Sequence, residues 1–298
     1  IKLKKKILHL IRLQQQLLEL IEFQILKKMD ITATNEPVRF YCFVTCPYAI
    51  RVRTALELLQ VPYEYNEIDL LVNQQLTPEF LKINPLHQVP VIINKQGQTI
   101  SESLVCLEYL NDKYQPGLLP QDSFQRAQIR KWITYYSSID AKKWRILGAI
   151  RNKNKEEAYR ILNEIQQNLK FLSSQIDLPI RVEQNSKTFL FGSTFGMGDI
   201  AILPVLDQMI ILFETAFGKH ILKDNLNGKD VDALKALYIW FENTKQQPAY
   251  QKSTYKLQSL PQNPLIDELN LRNNWQFDKY YINFAQRKFF PSGQIPKL

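Results

Sequence analysis

The chain has 298 residues, of which 45% are hydrophobic and 22% are charged, and it carries a net charge of +9. This composition is typical of a soluble globular protein that is long enough for two domains. Three cysteines without patterned spacing and without a CxxC pair exclude a disulfide framework, and they predict neither a metal site nor a dithiol centre. A reducing compartment fits this cysteine content, and no apolar run free of charge is long enough to predict a membrane span.

The positive charge is concentrated at the two ends of the chain. Residues 1–30 and residues 251–298 each carry a net charge of +4, whereas residues 31–250 carry only +1. The sequence therefore predicts a nearly neutral body with a basic arm at each end. Nucleic-acid binding through these arms is a weak alternative, because the body has no basic excess and no nucleic-acid-binding motif occurs.

Residues 1–29 have the pattern of one basic amphipathic helix, in an N-terminal extension that runs to residue 37. No acidic residue precedes Glu19, which is typical of organelle-targeting segments and favours a mitochondrial location, with the cytoplasm as the alternative. A helix of this kind can also contact a membrane surface peripherally, fit a groove of a protein partner, or pack on its own body. Met29 could equally be the true start of the protein.

The first predicted strand covers residues 38–44 and ends at a turn that contains Cys46. Pro47 is suited to the first position of a helix, so Cys46 falls at or next to the N-cap. Free N–H groups and the positive end of the helix dipole stabilise a thiolate, so this position predicts a reactive thiol with a lowered pKa. The alternative is a small buried side chain. In the helix that follows, the apolar spacing predicts that Arg51 and Arg53 lie on the solvent side.

The next segments predict a second strand over 61–68, a short helix near 78–81 and a buried strand that ends at residue 93. A hairpin turn at 94–98 leads to a brief return strand. A helix then opens at residues 101–103, and its predicted inner face is formed by Leu104, Val105, Leu107, Tyr109 and Leu110.

Proline and glycine mark residues 115–121 as a linker, and the pattern beyond it is helical. Helices are predicted at 122–150, 154–176, 197–216 and 229–246. The sequence thus predicts an α/β domain over 38–114, an all-helical domain over 122–256 and a basic C-terminal extension over 257–298. This extension is too aromatic for a solvated linker and should pack on something.

Three short motifs carry a resemblance to the glutathione transferases, over about residues 38–250, with the closest likeness to the cysteine-type omega class. They are Cys46-Pro47-Tyr48-Ala49, Gln88-Val89-Pro90 and Glu102-Ser103. The resemblance implies a thioredoxin-like N-terminal domain followed by the helical domain of that family. It also implies glutathione as cosubstrate and leaves a homodimer open.

By this resemblance Cys46 is the catalytic residue, and Val89 precedes a cis proline, Pro90. A kink at this proline would present the Val89 backbone N–H and C=O to an extended tripeptide, as an added strand would. Cys42, inside a strand, and Cys106, on a helix among apolar residues, are expected to belong to the core.

The glutamyl end of glutathione is assigned to Ser103, whose hydroxyl and helix N-terminus suit a carboxylate. Glu102 would bind the ammonium group of the tripeptide or cap the helix. His87 would reach the peptide, as a histidine in a similar loop does in insect glutathione transferases, or it would only form local hydrogen bonds.

Two positions depart from the family pattern. Thr77 stands near the place where the omega class has a lysine, so one expected anion contact is missing. Gly196 replaces the hydroxyl residue of a helix capping box, although Asp199 could still accept a hydrogen bond from the Gly196 N–H.

The sequence supports two functional hypotheses from different classes. In the first, Cys46 is the single nucleophile of a glutathione-dependent thiol transferase. Conjugation of electrophiles is less favoured, because Tyr41, the hydroxyl expected nearest the turn, lies on the strand and ranks below Cys46. In the second, the chain is a non-catalytic accessory subunit that docks on a protein complex through residues 1–29 and 257–298.

Overall fold

A computed structural model describes most of the chain beyond residue 36. The described residues are 37–114, 117–176, 178, 189–223, 231–255, 263–269, 271, 276–290 and 292–298. The predicted helix at 1–29 lies outside them.

The first part of the chain has the predicted order of strands and helices. Its elements are β1 (Val38–Cys42), α1 (Pro47–Leu58), β2 (Tyr63–Glu67), α2 (Pro78–Ile83), β3 (Val91–Ile93), β4 (Thr99–Ser101) and α3 (Ser103–Lys113). Strand β1 is two residues shorter than predicted, because the turn before α1 already begins after Phe43 and the Cys46 N–H donates to the Phe43 carbonyl over 3.0 Å.

The four strands form one mixed sheet in the order β2-β1-β3-β4. Strand β1 is parallel to β2 and antiparallel to β3, and β3 is antiparallel to β4. The ends of β2, β1 and β4 and the start of β3 therefore lie along the same edge of the sheet. The segments that follow or precede these strand ends include Cys46, Val89 and Ser103.

The second part of the chain is helical. Its elements are α4 (Ser123–Arg151), α5 (Lys155–Gln175), α6 (Met197–Phe217), α7 (Val231–Lys245), α8 (Pro248–Ser253), α9 (Pro264–Glu268) and α10 (Phe277–Phe289). The four longer helices α4 to α7 were predicted from their apolar spacing. The short helices α8 and α9 span fewer than two turns, so no helical period identified them. Helix α10 was not predicted, although its buried residues Phe277, Tyr280, Tyr281 and Phe284 have helical spacing.

Helix α6 forms the centre of the helical part. It is long and apolar enough to cross a membrane, with a mean hydropathy of 1.8, but 89% of its most apolar window is buried inside the protein. Asp199 in its first turn accepts hydrogen bonds from the Gly196 N–H over 3.1 Å, from the Leu190 N–H over 2.9 Å and from the Trp240 indole N–H over 2.7 Å. The predicted contact between Asp199 and Gly196 is thus confirmed.

Gly196 lies at a close approach between two segments. A Cβ atom at this position would lie only 2.8 Å from the carbonyl oxygen of Leu118, which accepts a hydrogen bond from the Met197 N–H over 2.9 Å. The missing hydroxyl of the capping box is explained by this contact, since any side chain would push the two segments apart.

The described part of the C-terminal extension packs on the chain's own body. The Phe284 ring of α10 lies 4.7 Å from the ring of Phe43, measured between centroids, and the Tyr280 ring lies 6.3 Å from the same ring. Phe43 directly follows β1, so α10 covers the sheet edge that carries the turn at Cys46. The expectation that this aromatic segment packs on something is confirmed.

Three predicted side-chain positions are wrong. Arg51 and Arg53 are only 4% and 3% exposed, although the sequence predicted them on the solvent side of α1. This helix is covered on several sides, because it packs against α3, α6 and α8. Val105 was predicted on the inner face of α3 but is 54% exposed.

Candidate functional site

The turn after β1 places Cys46 at the N-cap of α1, as the sequence predicted. The backbone at Cys46 is extended, and its carbonyl accepts the first helical hydrogen bond, from the Ile50 N–H over 2.9 Å. The thiol is only 8% exposed, and Sγ lies 3.9 Å from the carbonyl oxygen of Val89. The sulfur therefore faces the loop before β3.

Burial raises the pKa of the Cys46 thiol above its ordinary value. The backbone N–H groups of Ala49 and Tyr48 and the charges of Lys143 and Arg51 lower the pKa, but the loss of solvation exceeds their combined effect. The helix N-terminus lowers this pKa as expected, but the net shift is upward, so the expected lowered pKa is wrong. The donors are present, but Cys46 is also buried, as the alternative interpretation of this position stated.

The loop opposite Cys46 has the backbone that the resemblance implied. The peptide bond between Val89 and Pro90 is cis, and Val89 is buried. Asn84 fixes the loop, because its side chain donates to the Gln88 carbonyl over 2.8 Å. His87 adopts a left-handed conformation, with φ of 48°, and its side chain is exposed.

Glu102 and Ser103 lie at the start of α3, where the next strand of the sheet ends. Glu102 is exposed, has a φ of 66°, and its side chain does not cap α3 among the described residues. Ser103 is buried, and its hydroxyl oxygen accepts a hydrogen bond from Nη1 of Arg51 over 3.2 Å. Arg51 is itself held by the Ala201 carbonyl, to which Nε donates over 2.7 Å.

Arg51 is a site residue that sequence reasoning missed. Its guanidinium lies behind Ser103 and connects α1 to α3 and α6. An arginine in an amphipathic helix usually faces solvent, so the position of Arg51 along α1 did not identify it as a buried site residue.

Sequence reasoning also missed a hydrogen-bonded group that links Tyr48 to Asp140 and Lys143 of the helical part. The Tyr48 hydroxyl donates to Oδ2 of Asp140 over 2.8 Å, and Lys143 contacts both partners, with Nζ 3.2 Å from the Tyr48 oxygen and 3.0 Å from Oδ1 of Asp140. Burial and the Asp140 carboxylate raise the pKa of Tyr48 strongly, so this hydroxyl stays protonated. There is thus a hydroxyl beside the turn, contrary to expectation, but it is held in a hydrogen-bonded group.

These residues surround one cavity of about 770 Å³. All six predicted site residues line it: Cys46, His87, Val89, Pro90, Glu102 and Ser103. The facing wall comes from α4 and α10, and it includes Trp144, Leu147, Tyr281, Phe284, Lys288 and Phe289. The Trp144 and Phe289 rings are 5.7 Å apart and connect the two helices. Cys42 and Cys106 are buried, as predicted.

A mixed four-stranded sheet with a cis-proline loop, followed by a helical bundle, defines the architecture of the glutathione transferases. The family of the glutathione S-transferase N-terminal domain matches residues 45–113. Glutathione S-transferase U8 of Arabidopsis thaliana is 33% identical over 182 residues, which are 59% of this chain and 73% of the relative. A probable glutathione S-transferase of Glycine max is 34% identical over 199 residues, which are 62% of this chain and 77% of the relative.

Solved structures show the same fold. A glutathione transferase from Pseudomonas putida, with glutathione disulfide bound, has a TM-score of 0.57 at 23% identity and covers 73% of this chain and 90% of its own. A glutathione transferase from Burkholderia graminis, with two glutathione molecules bound per subunit, has a TM-score of 0.58 at 24% identity over 73% of this chain and 87% of its own. The chain belongs to the glutathione S-transferase family.

Proposed function

We propose that this protein is a glutathione-dependent thiol transferase of the cysteine type, with Cys46 as its nucleophile. The observation that carries the proposal is the single cavity in which the Cys46 turn, the Val89–Pro90 loop and the start of α3 meet. The Pseudomonas and Burkholderia relatives bind glutathione disulfide and glutathione, which supports glutathione as the cosubstrate here.

The Val89 backbone suits the peptide of glutathione. Its carbonyl points toward Sγ of Cys46, and its N–H donates to no acceptor among the described residues. An extended tripeptide can pair with such a segment as an added strand does. Ser103, with Arg51 behind it and the N-terminus of α3 beside it, would hold the glutamyl carboxylate. Glu102 would receive the ammonium group, and His87 would contact the peptide from the exposed side.

The reaction needs one cysteine and two molecules of glutathione. The Cys46 thiol first releases its proton to water, and the resulting thiolate attacks the glutathione sulfur of a mixed disulfide. The S–S bond breaks, and the released thiolate of the acceptor takes up a proton from water. A second glutathione, as its thiolate, attacks the new disulfide between Cys46 and glutathione. Glutathione disulfide leaves, Cys46 is regenerated, and the two electrons that reduce the mixed disulfide come from glutathione.

Conjugation of glutathione to electrophiles is a less favoured activity. A tyrosine or serine hydroxyl that activates glutathione must be free to approach its sulfur. The Tyr48 hydroxyl instead donates to Asp140, and its raised pKa disfavours the ionised form.

The test compares Cys46→Ser with the wild-type chain in the reduction of a mixed disulfide between glutathione and a small thiol. We expect the variant to lose the activity, while Cys106→Ala, which removes a buried thiol away from the cavity lining, retains it. Undiminished activity of the Cys46 variant would rule out the mechanism.

The accessory-subunit alternative still has residues 1–29 as a docking segment, with a mitochondrial assembly as its setting. The packing of α10 on Phe43 makes the C-terminal extension a weaker candidate for docking, because that part covers its own cavity. Deletion of residues 1–29 would release the protein from a complex if this alternative holds, and it would leave glutathione binding unchanged.

A further inference from the structure

Four chain segments lie in a fixed order along the sheet edge that forms the floor of the cavity. Leu70 comes shortly after β2, Cys46 follows β1, Val89 precedes β3 and Ser103 follows β4. Neighbouring strands are about 4.8 Å apart, so this edge measures about 14 Å from β2 to β4. An extended tripeptide covers about 10 Å, and the γ-linked glutamate of glutathione adds further bonds. A glutathione molecule along this edge therefore nearly spans it.

Under the proposed function, the glutamyl end of glutathione lies near Ser103 at the β4 end and its peptide lies beside Val89. The glycyl carboxylate is then directed past Cys46 toward the β2 end of the edge. A positive group at this end of the edge would bind that carboxylate.

Lys288 of α10 reaches this end of the cavity. Its Nζ donates to the carbonyl oxygen of Leu70 over 2.6 Å and to Oδ1 of Asn73 over 2.9 Å, and its side chain lines the cavity. The ammonium group, carried by a helix more than 200 residues away in sequence, is thus fixed beside the segment that follows β2.

The charge of Lys288 is not neutralised by an ion pair within the described part of the chain. Both acceptors of its hydrogen bonds are neutral, and an ammonium group has a third N–H to donate. Other cations nearby are paired: Arg287 on the same helix with Glu268, and Lys143 with Asp140. The Asp69 carboxylate acts on this ammonium only through space and forms no ion pair with it within the described residues. A ligand that places an anion in direct contact would therefore stabilise the half-buried ammonium further.

From this arrangement we infer that Lys288 binds the glycyl carboxylate of glutathione. The inference rests on the proposed function and assigns one more binding residue to the same site. It also means that α10, which lies outside the matched family domain at 45–113, completes the glutathione site. The two carboxylates of the tripeptide would then meet positive groups at opposite ends of the sheet edge, with Arg51 behind Ser103 at one end and Lys288 at the other.

The test measures glutathione binding by isothermal titration calorimetry on the full chain and on three variants, Lys288→Met, Lys288→Arg and Lys279→Met. Lys279 is the matched control, because it lies on the same helix and donates to the Leu269 carbonyl away from the cavity lining. A second ligand, glutathione monoethyl ester, has the same length but its glycyl carboxylate is esterified and uncharged. We expect Lys288→Met to raise the Kd for glutathione about tenfold or more, the effect of one charge-assisted hydrogen bond.

The arginine variant should retain most of the affinity, and Lys279→Met should bind like the wild type. Glutathione monoethyl ester should bind equally to the wild type and to Lys288→Met. Equal glutathione affinity of the wild type and Lys288→Met would overturn the inference and leave the proposed function intact. An equal loss for both ligands would also overturn it, because the lysine would then support the fold and not the carboxylate. If the wild-type chain binds no glutathione, the proposed function fails as well.

Discussion

The Tyr48 hydroxyl donates a 2.8 Å hydrogen bond to the carboxylate of Asp140, which follows it by 92 residues. Tyr48 belongs to the turn that carries Cys46, and Asp140 lies in the middle of α4. The bond therefore fixes the cysteine turn against the helical part, and Lys143 supplies the charge that offsets the buried carboxylate.

The first prediction concerns this hydrogen bond. We expect Tyr48→Phe to lower the free energy of unfolding by about 1–2 kcal/mol, because the Asp140 carboxylate loses a donor in a buried place. Chemical denaturation measures the change. Tyr135→Phe serves as the control, since the Tyr135 hydroxyl makes no hydrogen bond among the described residues, and it should leave the stability unchanged within about 0.5 kcal/mol. Equal effects of both variants would contradict the prediction.

The second prediction concerns the ionisation of Cys46. Burial raises the pKa of this thiol above its ordinary value, which favours the protonated form. Only the thiolate reacts, and its fraction rises about tenfold for each pH unit below the pKa. We expect the rate of Cys46 alkylation by iodoacetamide, followed by peptide mass spectrometry, to rise continuously from pH 6 to pH 9.

A free small thiol alkylated in parallel gives the reference for this experiment. At neutral pH, Cys46 should react more slowly than the reference, both because less of it is ionised and because little of it is exposed. A rate that levels off below pH 7 would show instead that the helix N-terminus lowers the pKa.

The third prediction concerns the start of α6. Placing a serine at Gly196, as the family's capping box has, should destabilise the protein by about 1–3 kcal/mol, because the added Cβ would lie 2.8 Å from the Leu118 carbonyl oxygen. Gly148→Ala is the matched control. It lies inside α4 with no atom within 4 Å of the added Cβ, so it should stabilise the protein by about 0.5–1 kcal/mol. A serine that stabilises the protein would show that the two segments separate easily.

Local patterns in the sequence predicted the elements of the first part and the four longer helices, and the resemblance to the glutathione transferases supplied the six site residues that line the cavity. Cys46, Val89 and Ser103 each lie where a strand ends or begins, and such positions can be found from alternation of apolar residues and from proline. The facing wall of the cavity could not be predicted, because Trp144 and Phe284 belong to α4 and α10, which are distant in sequence from the Cys46 turn. The burial of Arg51 could not be predicted either, because the Ala201 carbonyl that accepts its hydrogen bond belongs to α6, which is distant in sequence.

The raised pKa of Cys46 illustrates the difference between effects that local sequence determines and effects that tertiary packing determines. The lowering effect of the helix N-terminus is local and was expected from Pro47, whereas the larger effect of burial depends on tertiary packing. Aromatic residues in the tail indicated that the segment packs, but nothing in their spacing indicated that it packs on Phe43.

The fourth prediction concerns this packing. Phe284 is buried, and its ring contacts Phe43 at 4.7 Å and Phe289 at 5.8 Å between centroids. Phe284→Ala would leave a void between α10 and the sheet edge, and we expect it to lower the free energy of unfolding by about 3–5 kcal/mol. Phe124→Ala is the control, because Phe124 is 69% exposed and its loss should change stability by less than about 0.5 kcal/mol.

Phe284→Ala also shows whether α10 unfolds together with the rest of the protein or only rests on its surface. If α10 is part of the folded body, Phe284→Ala lowers the midpoint of a single unfolding transition that is followed by both circular dichroism and tryptophan fluorescence. If α10 is an arm that only rests on the surface, the main transition stays where it is in the wild type. An unchanged main transition would therefore contradict the assignment of α10 to the wall of the cavity, whereas a lowered one places residues 276–290 in the cooperative core.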